Sequence, residues 1–294
     1  MTLPRVLATD LDGTLLRSDM TIDINFLEPI IRQLQDEKFV NVVLISGRSC
    51  LSVAQIAQSI GLSRPGTQSC YIVGSRGCEI LRLQTMTLVK SQSLRVDSIN
   101  EVIEFCQEND ISFRSIPNEH QDQFCKDQNL QSKRLSIDEI KTHCHQNPPS
   151  KIFLSCDIQT MEQKLIPFAK QHTLKFSSTS WVSFNKNVIE LYPTSKTSTE
   201  NKLLSEDSEE SIADKGSALR WLCKNQFHCT MNDVCAIGDG ENDREMLEQA
   251  GLSYAPANAT VEAKQAAKVI LPWTNDQNCV GKMIKLNFHT IESI

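Results

Sequence analysis

Residues 5–9, RVLAT, form a short apolar run that stops at Asp10, and the run predicts a buried strand with a polar tip. From 23 to 38, Ile24, Leu27, Ile30, Ile31 and Leu34 recur at helical spacing. VNVVLISGR, residues 40–48, is a β-branched run closed by a Ser-Gly turn, a second strand with a polar tip. A helical stretch over 49–60 follows, and CYIVGSRG, residues 70–77, reads as a third strand and turn. Strands alternating with helices predict a parallel sheet covered on its faces. In such sheets the carboxyl ends of the strands face the ligand.

The pattern returns toward the other end. DVCAIGDGEND, residues 233–243, is a strand running into a glycine-aspartate turn. A short helix over 243–250 and brief strands in LSYAPANA and KVILPW follow. Between these halves lie helices near 97–109 and 160–171 and a strand in KIFLSCD, without comparable polar tips. The expected fold class is α/β: a Rossmann-like parallel-sheet core, residues 1–85 and 188–294, with helices on both faces. Residues 86–187 are expected to form an inserted α/β cap. TSKTSTENKLLSEDSEESIAD, residues 194–214, is rich in Ser, Thr and acids and reads as a solvated loop. Its functional alternative is a phosphorylation patch around Ser205, Ser208 and Ser211.

Composition narrows the partners. The 294 residues carry a formal net charge of −6, which disfavours nucleic acid or an anionic membrane, since both demand a broad basic face. No apolar run is long enough to span a bilayer. The first residues lack the order of a secretory signal, with aspartates arriving by position 10. The 11 cysteines are scattered without a Cys-x-x-Cys pair. They read as small buried hydrophobes in a reducing compartment, and a cytoplasmic location is expected. His143-Cys144-His145 looks like a metal cluster, but adjacent residues on one element do not converge on a single ion.

The polar tips carry the chemistry. Asp10 and Asp12 stand at i and i+2, so in an extended segment both side chains face one site. Two close carboxylates repel unless one is protonated or a hard cation neutralises them. Mg²⁺ favours such oxygens together with a phosphate. A lone Asp-x-Asp is nevertheless a common surface turn. Asp239 adds a third carboxylate at a strand tip, with Asn242 and Asp243 just beyond; taken alone, that segment reads equally as an acidic turn with a helix cap. Ser46 is placed to give a hydroxyl and an N–H to phosphate oxygens, and Arg48 either assists or is structural. Lys215 opens a helix against the macrodipole, which an anion explains better than helix stability does.

In order along the chain these are DLDGTLL, SGR, DKG and GDGEND. The set resembles the Cof-type phosphatases of the haloacid dehalogenase superfamily, the subgroup with a large α/β cap. The similarity continues through GDGENDREMLEQAGLSYAPANATVEAKQAAKVIL and covers the core at both ends. The resemblance implies that Asp10 is the nucleophile and Asp12 the general acid and base. It implies Mg²⁺ held by Asp10, Asp239 and the backbone carbonyl of Asp12, with Asp243 behind them. It assigns Ser46, Gly47, Lys215 and Asn242 to the transferring phosphate.

The expected activity is hydrolysis of a phosphomonoester of a small soluble metabolite, a sugar phosphate by the usual habit of this cap type. Alternatives are a related phosphomutase and a non-catalytic regulatory or binding protein on the same scaffold. The chain departs from the pattern in three places. Arg76-Gly77-Cys78 stands where Asn-Gly-Ala is usual. Most of 195–213 is inserted ahead of Lys215, and Asn278-Cys279 replaces a usual Asp-Gly.

Overall fold

Uninterrupted β-branched and aliphatic runs have no polar face to offer water, so they form strands buried on both sides. The computed structural model describes residues 3–67, 69–115, 137–146, 148–172, 174–181, 186–193 and 212–288. Along the chain run β1 (Val6–Thr9), α1 (Ile24–Asp36), β2 (Asn41–Ile45), α2 (Cys50–Ser59) and β3 (Tyr71–Gly74). A hairpin follows, β4 (Glu79–Arg82) and β5 (Thr87–Ser91). Next come α3 (Val96–Glu108), β6 (Ser112–Ser115), α4 (Ile137–Gln146), β7 (Ile152–Cys156), α5 (Ile166–Gln171), β8 (Lys175–Trp181) and β9 (Lys186–Tyr192). The last stretch holds α6 (Lys215–Leu222), β10 (Val234–Ile237), α7 (Arg244–Gln249), β11 (Leu252–Ala255), α8 (Val261–Ala266), β12 (Val269–Ile270) and α9 (Cys279–Phe288).

The chain divides into two compact units, Met1–Ser91 with Glu210–Ile294, and Gln92–Glu209. In the first, eight strands lie in the order β12-β11-β10-β1-β2-β3-β4-β5. The pairings from β12 to β3 are parallel, and the β4–β5 hairpin extends the edge antiparallel. Successive strand residues enter opposite cores, as the pleat requires. Leu7, Leu44 and Ile237 pack with α1, α2 and α9 on one face. Val6, Ala8, Val43 and Ala236 pack with α6, α7 and α8 on the other. The core is therefore a parallel-dominated α/β sheet with helices on both faces, as its hydrophobic runs predict.

The second unit has a four-stranded antiparallel sheet, β6-β7-β9-β8. Its core packs Ile99, Val102 and Ile103 of α3 against Ile152, Leu154, Ile189 and Leu191. The unit boundaries differ from residues 86 and 187, the limits that the sequence suggests. β5 hydrogen-bonds within the first sheet and β9 within the second, so each crossing falls later in the chain. The candidate serine patch, Ser205, Ser208 and Ser211, lies outside the described residues.

Strand order reverses between β1 and its neighbour β10, because the chain adds β2 and β3 on one side and β10 to β12 on the other. That switch point is where open α/β sheets leave a crevice at the carboxyl ends. Asp10 follows β1 directly, and Asp239 follows β10 after one glycine.

Candidate active site

The backbone at the switch point is tied across the two strands. Asp10 N–H donates to the Ile237 carbonyl at 3.0 Å, and Thr260 N–H donates to the Asp239 carbonyl at 2.8 Å. Gly13 turns the β1 loop with φ 77°, the left-handed region that glycine enters without strain. A Cβ there would collide with the Asp239 carboxylate. Thr14 Oγ1 donates to Asp239 Oδ1 at 2.8 Å, and Asn258 Nδ2 caps the Gly13 carbonyl at 2.7 Å. The DLDGT and GDGEND segments thus form one interlocked surface.

Lys215 joins that surface from α6. Asp214 caps this helix in a reciprocal box with Ser217, supplying the acceptor that a helix start needs. The Lys215 side chain is fully buried, and its Nζ donates to Asp10 Oδ1 at 2.5 Å and to Asp243 Oδ1 at 2.6 Å. The anion that compensates this lysine for its unfavourable helix position is therefore the pair of carboxylates. Asp243 Oδ2 accepts the N–H groups of Asp239 at 3.1 Å and Gly240 at 2.9 Å. Both of its oxygens are committed to holding Lys215 and the loop.

Asp10, Asp239 and Asp243 each offer a carboxylate oxygen, and these oxygens lie within 4.8 Å of one another. One ammonium faces three carboxylates. Burial lifts the Asp10 pKa well above the usual carboxylate range; Lys215 opposes the rise, while Asp243 and Asp239 add to it. Burial likewise raises Asp239, with the Thr14 hydrogen bond opposing. For Lys215, burial works against the charge, but Asp10 and Asp243 outweigh it and the pKa lies above its ordinary value. The donor set fits a divalent, oxygen-preferring cation, which would neutralise the surplus negative charge.

Asp12 stands apart from these three. Its carboxylate is gripped by Arg48, whose Nε donates to Oδ2 at 2.9 Å and whose Nη2 donates to Oδ1 at 2.5 Å. Alternation along an extended segment would aim Asp10 and Asp12 at one site. Instead the backbone bends after Asp10 into the turn Leu11–Leu15. The two carboxylates take different partners, Lys215 for Asp10 and Arg48 for Asp12. Ser46, 1% exposed, accepts the Arg48 N–H on its Oγ at 3.1 Å, and Gly47 continues that turn. Asn242 lies half-buried in the loop of Asp243, its Oδ1 beside Gly240.

Of the residues singled out in the sequence, the structure brings Asp10, Lys215, Asp239 and Asp243 together and ties Asp12 and Ser46 to Arg48. The sequence does not signal the contacts of Thr14 and Asn258 or the Arg48–Asp12 fork. Thr14 is signalled only by its place inside DLDGT. Asn258 has no spacing cue at all, because its partner is 245 residues away. Elsewhere, Cys144 is buried in the core of the second unit, and His145 pairs through Nε2 with Asn100 at 3.1 Å.

Known proteins share this fold. The profile of the haloacid dehalogenase-like hydrolases matches residues 7–284. The chain belongs to this family. Among curated relatives, it is 42% identical over 73 residues to a phosphoglycolate phosphatase of Methanopyrus kandleri, covering 25% of this chain and 31% of that one. Such strong local matches span only about a third of the relative's length. A longer match, 24% identical, covers 96% of this chain and 94% of the 5-amino-6-(5-phospho-D-ribitylamino)uracil phosphatase of Bacillus subtilis. A crystal structure of a haloacid dehalogenase-like hydrolase from Bacteroides thetaiotaomicron superposes with a TM-score of 0.67 at 21% identity, covering 96% of this chain and 99% of that one. This last likeness is one of fold. Among the described residues no helix is long and apolar enough to cross a membrane.

Proposed function

We propose that this hydrolase is a Mg²⁺-dependent phosphatase acting on a phosphomonoester of a small soluble metabolite through an aspartyl-phosphate on Asp10. The observation that carries the reading is the buried cluster at the switch point, where one ammonium is outnumbered by three carboxylates. Asp10, Asp239 and the Asp12 carbonyl would hold the cation, and Asp243 would fix Lys215 and the loop behind them. The cation supplies charge that screens the nucleophile from the phosphate and polarises the phosphoryl group.

An Asp10 carboxylate oxygen attacks phosphorus as the bond to the leaving oxygen breaks, and Asp12 donates a proton to that oxygen. Water then attacks phosphorus, Asp12 takes the water's proton, and the bond to Asp10 breaks to restore the carboxylate. Lys215, Ser46, Gly47 and Asn242 hold the transferring oxygens, where negative charge spreads in the transition state. Arg48 orients Asp12 through its two-pronged contact. The second unit is proposed as the cap that selects the leaving group, a sugar or related polyol. The mostly buried cysteines among the described residues support a reducing, cytoplasmic setting.

The test is phosphate release from a panel of phosphorylated metabolites with Mg²⁺, with and without a chelator, beside Asp10→Asn. Turnover that disappears on chelation and in the variant supports the reading. Isomerisation without phosphate release would replace it with a mutase. Folded protein that turns over no compound would leave the scaffold role.

A further inference from the structure

Met20 stands where a methionine is costly. It has φ 65°, in the left-handed region that residues with a Cβ avoid. The turn that holds it, residues 17–21, is tied down throughout. Met20 N–H donates to the Arg17 carbonyl and Arg17 N–H to the Thr21 carbonyl, both at 2.9 Å. Asp19 Oδ1 accepts the Thr21 N–H at 2.9 Å and its hydroxyl at 2.6 Å. Asp276 accepts the Ser18 N–H at 2.8 Å and its hydroxyl at 2.9 Å. Strain of this kind persists only where the surroundings enforce it, and it gathers at functional sites.

The side chain carried by this turn meets the partner of Asp12. Met20 is 61% exposed, and its Sδ accepts from Arg48 Nη2 at 3.4 Å. The same Nη2 donates to Asp12 Oδ1, while Arg48 Nε donates to Asp12 Oδ2. One nitrogen of the fork is thus shared between a carboxylate and a thioether. A thioether is a weak acceptor, so the carboxylate holds the fork. Oxidation to the sulfoxide makes the same side chain polar and sets a strong acceptor oxygen beside that nitrogen. Met86, also exposed, at 40%, lies between β4 and β5 and serves as a reference. Met246 and Met283 are fully buried.

We propose that Met20 is an oxidation site that controls Asp12 through Arg48, its sulfoxide drawing the shared Arg48 Nη2 away from the carboxylate. The oxidant is a peroxide. The Met20 sulfur attacks one peroxide oxygen, the O–O bond breaks, sulfur loses two electrons, and hydrogen peroxide leaves as water. The inference rests on the phosphatase reading above, in which Asp12 protonates the leaving oxygen, and adds regulation to that site. With one prong of the fork lost, Asp12 is held less firmly, and hydrolysis slows most where the leaving oxygen most needs a proton.

Wild type, Met20→Leu and Met20→Gln are treated with hydrogen peroxide and sampled over time. Each sample is assayed in Mg²⁺ with phenyl phosphate and with p-nitrophenyl phosphate, whose more acidic phenol leaves with less help. Peptide mapping follows the sulfoxide at Met20 and Met86. In wild type, kcat/KM falls in step with Met20 sulfoxide, by about tenfold for phenyl phosphate, a part of what a general acid contributes, and by less for p-nitrophenyl phosphate. A mixture of the two methionine sulfoxide reductases restores the rate where dithiothreitol alone does not, which separates the effect from cysteine oxidation. Met20→Leu escapes this loss. Met20→Gln, whose amide oxygen is a good acceptor, shows the same leaving-group-dependent deficit before treatment. Met20 sulfoxide that accumulates with no change in kcat/KM, a loss that Met20→Leu shares in full, or a loss equal for both compounds overturns the inference alone. No turnover of either compound by folded, untreated wild type overturns the phosphatase reading and this inference with it.

Discussion

Lys215 reaches Asp10 across 205 residues of sequence and donates to its Oδ1 at 2.5 Å from a fully buried position. The contact locks the start of α6 to the tip of β1 and fixes the geometry of the cluster. Lys215→Met removes the ammonium that pairs with both Asp10 and Asp243, leaving buried carboxylates without that compensation. Breaking a buried pair from one side costs about 3–5 kcal/mol, to be read from urea unfolding without metal. A loss below about 1 kcal/mol would show that the cluster adapts without the lysine.

Three carboxylates against one ammonium make the metal-free protein sensitive to pH. The raised Asp10 pKa means that the folded state holds this proton more tightly than the unfolded chain. Its contribution to stability is present below the ordinary carboxylate value of 3.8 and is lost as pH rises through the raised folded value. A divalent cation competes with that proton. The rise in melting temperature on adding Mg²⁺ should therefore be larger near pH 7 than near pH 5. Equal rises at both values, followed by scanning fluorimetry, would contradict this.

Gly13 couples the two acidic loops. Gly13→Ala places a methyl group against Asp239 and forces a side chain into the left-handed region, costing about 1–2 kcal/mol from the backbone alone. Displacement of Asp239 should weaken Mg²⁺ binding by at least about tenfold, since one misplaced ligand disturbs the whole set. Calorimetric titration of the folded variant checks this; unaltered affinity would remove Asp239 from the metal site.

The cysteines divide by exposure. Burial pushes the thiols of Cys106, Cys235 and Cys279 up to about 12, so little thiolate exists near neutral pH. Alkylation of native protein near pH 8 should reach the half-buried Cys156 and Cys229 at least about a hundredfold faster than Cys235. Peptide mapping over time reads the rates. Equal labelling of Cys235 and Cys229 would mean that the core opens readily.

Much of this was legible along the chain because the parallel strands are short apolar runs ending in motif residues. β1, β2, β3 and β10 announce themselves in this way. β8 does not: KFSSTSW is too polar to read as a strand and is held by pairing with β9, a tertiary effect on a weak propensity. The β4–β5 hairpin is likewise not signalled by its pattern, and it places the first unit boundary later in the chain. Local motifs pick out the acids and Lys215 that the structure brings together. The Arg48–Asp12 fork links residues 36 apart, and only the adjacency of the β1 and β2 tips creates it.

The most direct test of the central claim is a rapid acid quench of the Mg²⁺-loaded protein mixed with p-nitrophenyl phosphate carrying radiolabelled phosphorus. Label retained on the protein, located to Asp10, released by hydroxylamine and absent from Asp10→Asn, is the predicted result. Rapid phosphate release with no protein-bound label in wild type, or with Asp10→Asn as active as wild type, would contradict an aspartyl-phosphate at this position.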